Sequence, residues 1–375
     1  MSLGARPDDA STRDGFESFY NSDYDSAIQD FEKTLKAHPD DPFAANHLLE
    51  VFLVREIDRE GALSSELYVG TDFLRTKKVL VDAQVRVRIQ ELTTQALSLS
   101  DERLRTKPND TDALYARGVT RSLSALYEGV IEKTWYSAFR EALGAYDDHK
   151  RVLELAPNYS DAKLVVGVYT YIAAALPIYE RLVAFLLSIK GSKAEGIEDI
   201  REAEIAGGEA SVDAKTALSL FLSREHQYPE ALSLTRELYR SYPRNFHYGL
   251  SEADLLRSSG NIAEAAAAYR NLLAQGQQNI FPHPRLTRAA NALGQILRSQ
   301  GNYRAAADAF DSVAQLPGAD REQTASAKLL AGEMYDLLQE RGSAITRYQE
   351  VIMTSDDSIE VREARRLLKH PYHSP

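Results

Sequence analysis

One arrangement recurs along the chain and limits what it can fold into. A small residue is followed, four and seven positions later, by side chains that are mostly apolar. It occurs at Ala27, Phe31 and Thr34; at Ala96, Ser100 and Arg103; at Ala145, His149 and Val152; and at Ala231, Thr235 and Leu238. Each of these four copies is followed, five residues on, by Pro39, Pro108, Pro157 or Pro243. Four more lack the proline: Gly196, Ile200, Ala203; Ala265, Tyr269, Leu272; Ala306, Phe310, Val313; and Ala344, Tyr348, Val351. Residues three and four apart line one side of a helix, so each copy is a stripe. The small member lets a neighbouring helix come close, and enlarging it costs about 1–3 kcal/mol through overpacking. A proline cannot continue the helix and marks its end.

Twelve residues before the small anchor a second small residue often stands, as at Gly15, Gly294 and Gly332, and "GNI" at Gly260 and "GNY" at Gly301 are turn signals between the two helices. The stretch "ALGQILRSQGNYRAAADAFDSVAQLP" carries Leu293, Gly294, Leu297, Gly301, Tyr303, Ala306, Phe310 and Pro317. On these residues the chain resembles the tetratricopeptide-repeat family, whose unit is 34 residues long. The resemblance implies an all-α, right-handed α-solenoid of stacked antiparallel helix pairs, about eight units in all. The segment "LPIYERLVAFLLSIKGSKAEGIEDIREAEIAGG" resembles bacterial solenoids of uncharacterised role, and is similar to the tetratricopeptide family of the mitochondrial outer-membrane inclusion-clearance factor.

Anchor spacing is regular late in the chain, with 34 residues from Ala231 to Ala265, and irregular early, with 69 from Ala27 to Ala96. The expected layout is therefore a disordered leader over 1–13, irregular long-helix units over 14–210, a regular array over 211–356, and a capping helix with tail over 357–375. An excursion is expected near 58–80, and two long helices are expected to turn near Lys133–Trp135. In the capping helix Val361, Ala364 and Leu368 should be buried and Arg362, Arg365 and Arg366 exposed.

Composition removes several chemistries. A net charge of −11 gives no general nucleic-acid footprint. The absence of cysteine excludes thiolate catalysis, disulfides and Cys-based zinc sites. There is no GxSxG signature, and "GSKAEG" at Gly191 matches no phosphate-binding loop. "NSDYDSAIQDFE" places Asn21, Asp23 and Asp25 like calcium-loop ligands, yet Ser26 stands where the sharp bend needs glycine, and Ala27 and Phe31 belong to a stripe. His370 and His373 in "KHPYHSP" read as a tail, and Glu195, Glu198 and Glu202 as a solvated helix face. No cofactor or metal is expected. An enzyme would instead need a dominant pocket with converging, perturbed carboxylates in the long-helix half.

What remains is binding. In a stacked array the first helix of each pair lines the concave wall. Counted back from the anchors, the wall positions are His247, Leu250, Asp254 and Arg257; Arg288, Asn291, Gln295 and Arg298; and Ser326, Leu329, Glu333 and Asp336. The expected peptide-binding groove is His247, Asp254, Arg257, Arg288, Asn291, Gln295 and Arg298, a cradle for an extended peptide or its carboxylate. The lysine–asparagine clamp of the family's chaperone-tail binders is not matched, since Asn291 and Gln295 stand at its positions. Phe16, Phe19 and Tyr20 form either packing against the excursion or an exposed apolar patch. The expected function is a non-catalytic protein–protein interaction scaffold. The alternative is a peripheral membrane or envelope-associated assembly factor using the apolar segment 171–189, which Pro177, Glu180 and Arg181 interrupt. As written the chain reads as cytoplasmic, or as periplasmic or envelope-associated if a leader was removed.

Overall fold

The computed structural model describes residues 9–61, 63, 79–175, 191–282, 285–354 and 358–373. Among them lie seventeen α-helices and no strand. The molecule is an all-α helical-repeat solenoid, divided into two compact units, Met1–Tyr242 and Pro243–Pro375. That division falls one helix pair later than the 210/211 boundary read from anchor spacing.

The first unit holds five antiparallel pairs: α1 (Ala10–Tyr20) with α2 (Tyr24–Ala37), α3 (Pro42–Arg59) with α4 (Ala83–Thr106), α5 (Thr111–Leu126) with α6 (Trp135–Leu155), α7 (Asp161–Ala175) with α8 (Lys193–Ile205), and α9 (Ser211–Arg224) with α10 (Tyr228–Ser241). The second holds three: α11 (Phe246–Ser258) with α12 (Ile262–Gln277), α13 (Thr287–Ser299) with α14 (Tyr303–Ser312), and α15 (Arg321–Leu337) with α16 (Arg341–Thr354). α17 (Ile359–Lys369) packs on the last pair.

The eight stripes are the seams of these pairs. Ala27, Ala96, Ala145, Ala231, Ala265, Ala306 and Ala344 are wholly excluded from solvent, and Phe31, His149, Ile200, Tyr269, Phe310 and Tyr348 are equally enclosed. The small residue on the first helix faces the stripe's second member rather than its anchor. A Cβ on Gly15, Gly294 or Gly332 would come within 2.7, 2.4 and 2.5 Å of the Phe31, Phe310 and Tyr348 rings. In the long-helix pairs Gly118 takes this place against His149, although the two are much further apart in sequence. One stripe departs from the pattern. Arg103 turns out to hold Asp110, the N-cap of α5, with two hydrogen bonds of 3.0 Å, and Leu104 is buried in its stead.

In five of the eight pairs the turn places one left-handed residue five positions before the anchor. Gly260 (φ 83°) and Gly301 (φ 73°) supply it without steric cost, whereas Ser22, His226 and Gln339 adopt it with side chains (φ 60°, 59° and 61°). The calcium-like stretch is such a turn. Asp23 caps α2 by accepting from the Ser26 amide, and the Asn21 side chain donates back to Glu17.

Two other expectations change in detail, and one holds. Asp9 caps α1, so helix begins inside the stretch read as leader. The turn near Lys133–Trp135 is where it was expected, reached through a π-helical turn over Tyr127–Glu132 that ends on left-handed Lys133. In α17 the third buried residue is Leu367, not Leu368: the buried face follows steps of three residues, 361, 364 and 367. Most of the 58–80 excursion lies outside the described residues.

Candidate functional site

The expected groove lies on the first helices of the second unit, where its charges are already paired. Arg288 donates to Asp254 Oδ2 at 2.6 Å, Tyr269 donates to Asp254 Oδ1 at 2.5 Å, and Arg257 stands 3.8 Å from the same oxygen. Arg298 lies 3.3 Å from Glu333 and donates to the Tyr372 hydroxyl at 2.6 Å, its guanidinium 5.5 Å from that ring's centre. Burial raises the Glu333 carboxyl above its usual range, with Arg298 opposing. The structure thus gathers Asp254, Arg257 and Arg288 into one cluster and Arg298, Glu333 and Tyr372 into another. Asn291 and Gln295 lie between them on α13; the Asn291 side-chain oxygen is enclosed without a hydrogen-bond partner among the described residues, and Gln295 is exposed. His247 is half-buried, its ring 3.9 Å from that of Phe246.

Tyr372 is the residue that reading the sequence missed. Its amide donates to Asp336 Oδ2 at 2.8 Å, beside hydrogen bonds from Arg341 and the Tyr348 hydroxyl. The segment after α17 therefore lies across α13 and α15, on wall positions 298 and 336.

A second site lies in the first unit, and no expected site residue belongs to it. The first helices α1, α3, α5, α7 and α9, with the turn before α9, line a cavity of about 160 Å³. Asp41 and Pro42 start α3, Asp41 accepting from the Phe43 amide. Asn46 ties α3 to α5, donating to the Ala116 carbonyl and accepting from Thr120. Asp161 holds the α8–α9 turn through the Ala210 amide. Phe16, Phe43 and Tyr115 supply aromatic wall, while His47, Glu50, Glu209 and Asp213 supply polar wall.

These acids crowd one another. Burial raises Glu50 well above the usual carboxylate range, with Asp213 and Glu209 pushing the same way. Burial likewise raises Asp213 to about 7 against a hydrogen bond from Tyr20. Perturbed carboxylates therefore line one cavity of the first unit, both raised by burial. Phe16 lines this cavity, and Phe19 and Tyr20 are buried in a core cluster that also holds Val79, with Leu63 packed against it, so the aromatic face of α1 is not an exposed patch.

Of the apolar segment 171–189, Tyr171 is core, stacked 4.0 Å from Phe221 with its hydroxyl donating to Glu225. Residues 176–190 lie outside the described residues. No helix among the described residues is long and apolar enough to cross a membrane.

The tetratricopeptide-repeat family profile matches residues 216–280 and 250–320. No curated protein sequence matches the chain. Among solved structures the chain is similar to pilF of Pseudomonas aeruginosa, at 17% identity over 69% of this chain and 99% of that one, with a TM-score of 0.43. It is similar to yeast Tom70 at 13% identity, over 94% of this chain and 86% of that one, with a TM-score of 0.40. PilW, a type IV pilus biogenesis factor, is 15% identical over 66% of this chain and 98% of that one, with a TM-score of 0.42.

Proposed function

Because the chain is a tetratricopeptide-repeat protein, we propose that it is a non-catalytic interaction scaffold that holds an extended segment of a protein partner on the first-helix face of its second unit. The observation that carries this reading is the seat of Tyr372. Its backbone N–H is read by Asp336 and its side chain by Arg298, the two kinds of contact that an extended peptide offers a groove. The chain's own residues 370–373 stand in for the partner segment, and a partner with a comparable aromatic residue would displace them.

The test uses the chain ending at Lys369 and a labelled peptide of sequence KHPYHSP. The shortened chain keeps every helix and should bind the peptide saturably, whereas the full chain binds it more weakly through self-occupation. Replacing the tyrosine of the peptide by alanine should abolish binding. No binding to the shortened chain, or equal binding by the alanine peptide, removes this face from consideration.

A further inference from the structure

Resting on the reading that residues 370–373 hold the place of a partner segment, we infer that this seat selects a tyrosine with a free hydroxyl and refuses phenylalanine or phosphotyrosine at that position. Of these residues His370, Pro371 and His373 are exposed, and Tyr372 is half-buried. Recognition therefore falls on one side chain and its amide. The amide that Asp336 holds is common to every residue but proline, so discrimination lies in the ring and its hydroxyl.

The hydroxyl is read by a charged donor. Arg298 Nη2 donates to it at 2.6 Å, with the guanidinium 5.5 Å from the ring centre. The same nitrogen lies 3.3 Å from Glu333 Oε2, yet that oxygen makes no hydrogen bond among the described residues. Arg298 is half-buried and relies on the phenol oxygen as its aligned acceptor. A phenylalanine keeps the ring against the guanidinium and loses this bond, leaving the cation short of an acceptor.

Phosphotyrosine fails for a different reason. A phosphate monoester brings nearly two negative charges to the hydroxyl oxygen. Sites that hold such a group offer arginines in a cluster. Here each arginine is answered by an acid. Arg298 faces Glu333, Arg341 donates to Asp336 at 2.9 Å, and Arg366, whose charge also reaches Glu333, donates to Glu363 at 2.9 Å. Glu333 is only 8% exposed and the Asp336 side chain is wholly enclosed. Buried carboxylates are poorly screened, so both repel an incoming phosphate.

The experiment uses the full chain carrying Tyr372→Ala, which vacates the seat and touches no helix. Anisotropy follows labelled KHPYHSP, KHPFHSP and the phosphotyrosine form of KHPYHSP. The tyrosine peptide should bind saturably, and the phenylalanine and phosphotyrosine peptides each about tenfold more weakly. Adding Glu333→Gln removes a charge and keeps the shape, so it should narrow the gap between phosphotyrosine and tyrosine peptides severalfold. That gap is a ratio taken within one variant, which a change in its stability does not move. Equal binding of the tyrosine and phenylalanine peptides, phosphotyrosine binding as tight as tyrosine, or an unchanged gap in Glu333→Gln overturns the inference and leaves the seat standing. No binding by any of the three peptides overturns the seat itself, and the inference with it.

Discussion

The hydroxyl of Tyr20, at the end of the first helix, donates to Asp213 Oδ2 at 3.0 Å, 193 residues further along the chain. The Tyr20 ring also meets Tyr242, 5.2 Å away. The first helix pair of unit one is thereby fastened to its fifth by side chains remote in sequence.

Burial of the Asp213 carboxyl, opposed by this hydrogen bond, sets a pH dependence. Asp213 titrates near 7 when folded and near 3.9 unfolded. The folded state therefore binds more protons between these values, and stability falls as pH rises through the folded value. From about pH 6.5 to 8 the loss is about 1 kcal/mol. Below that range His149, pushed down to about 4 by burial, acts in the opposite sense as it is forced to charge. Melting curves should thus show a shallower decline between pH 6.5 and 8 in Asp213→Asn than in the parent. Parallel curves would contradict the assignment.

Gly294 and Phe310 test the seam. A Cβ at 294 would lie 2.4 Å from the ring, so Gly294→Ala should destabilise by about 1–3 kcal/mol through overpacking. Adding Phe310→Leu relieves the clash, and the two changes should be less than additive in denaturant titrations.

Gln339 is exposed and left-handed at the position where two other repeats use glycine. Relief of its backbone strain exceeds the added entropy of the unfolded chain, so Gln339→Gly should raise stability by about 0.5–1 kcal/mol. A lower melting temperature would show that the turn is set by something other than this residue's conformation.

Arg288 stabilises the array whatever it does for a ligand. Removing it leaves Asp254 with Tyr269 as its main partner, and Arg288→Ala should cost about 1–3 kcal/mol. The loss should shrink when Asp254→Ala accompanies it. Triple alanine replacement of Arg257, Arg288 and Arg298 would therefore confuse folding with binding. Arg257→Ala alone is cleaner, since Arg257 is the most exposed of the three.

The stripes were legible because they are local: offsets of three and four residues fix a helix face without knowledge of its neighbour. The groove was legible as positions but not as chemistry. A useful signal went unused, since Asp254 and Arg288 stand one repeat apart, at 34 residues, where opposite charges on successive first helices meet. Tyr372 was hidden because a proline-flanked tail has no periodicity. The cavity draws on five helices spread from Phe16 to Asp213, and its acids look like surface residues in isolation. Only Glu50, set within the apolar run "HLLEVFLV", hinted at an enclosed charge.

The claim that the first-helix face of the second unit holds an extended segment is tested most directly at the Tyr372 amide. Its hydrogen exchange, followed by NMR in the full chain, should be slowed by the bond to Asp336, and should accelerate when excess KHPYHSP peptide competes for the seat. Exchange at the rate of an unstructured tail in the full chain, unaffected by the peptide, would contradict the account.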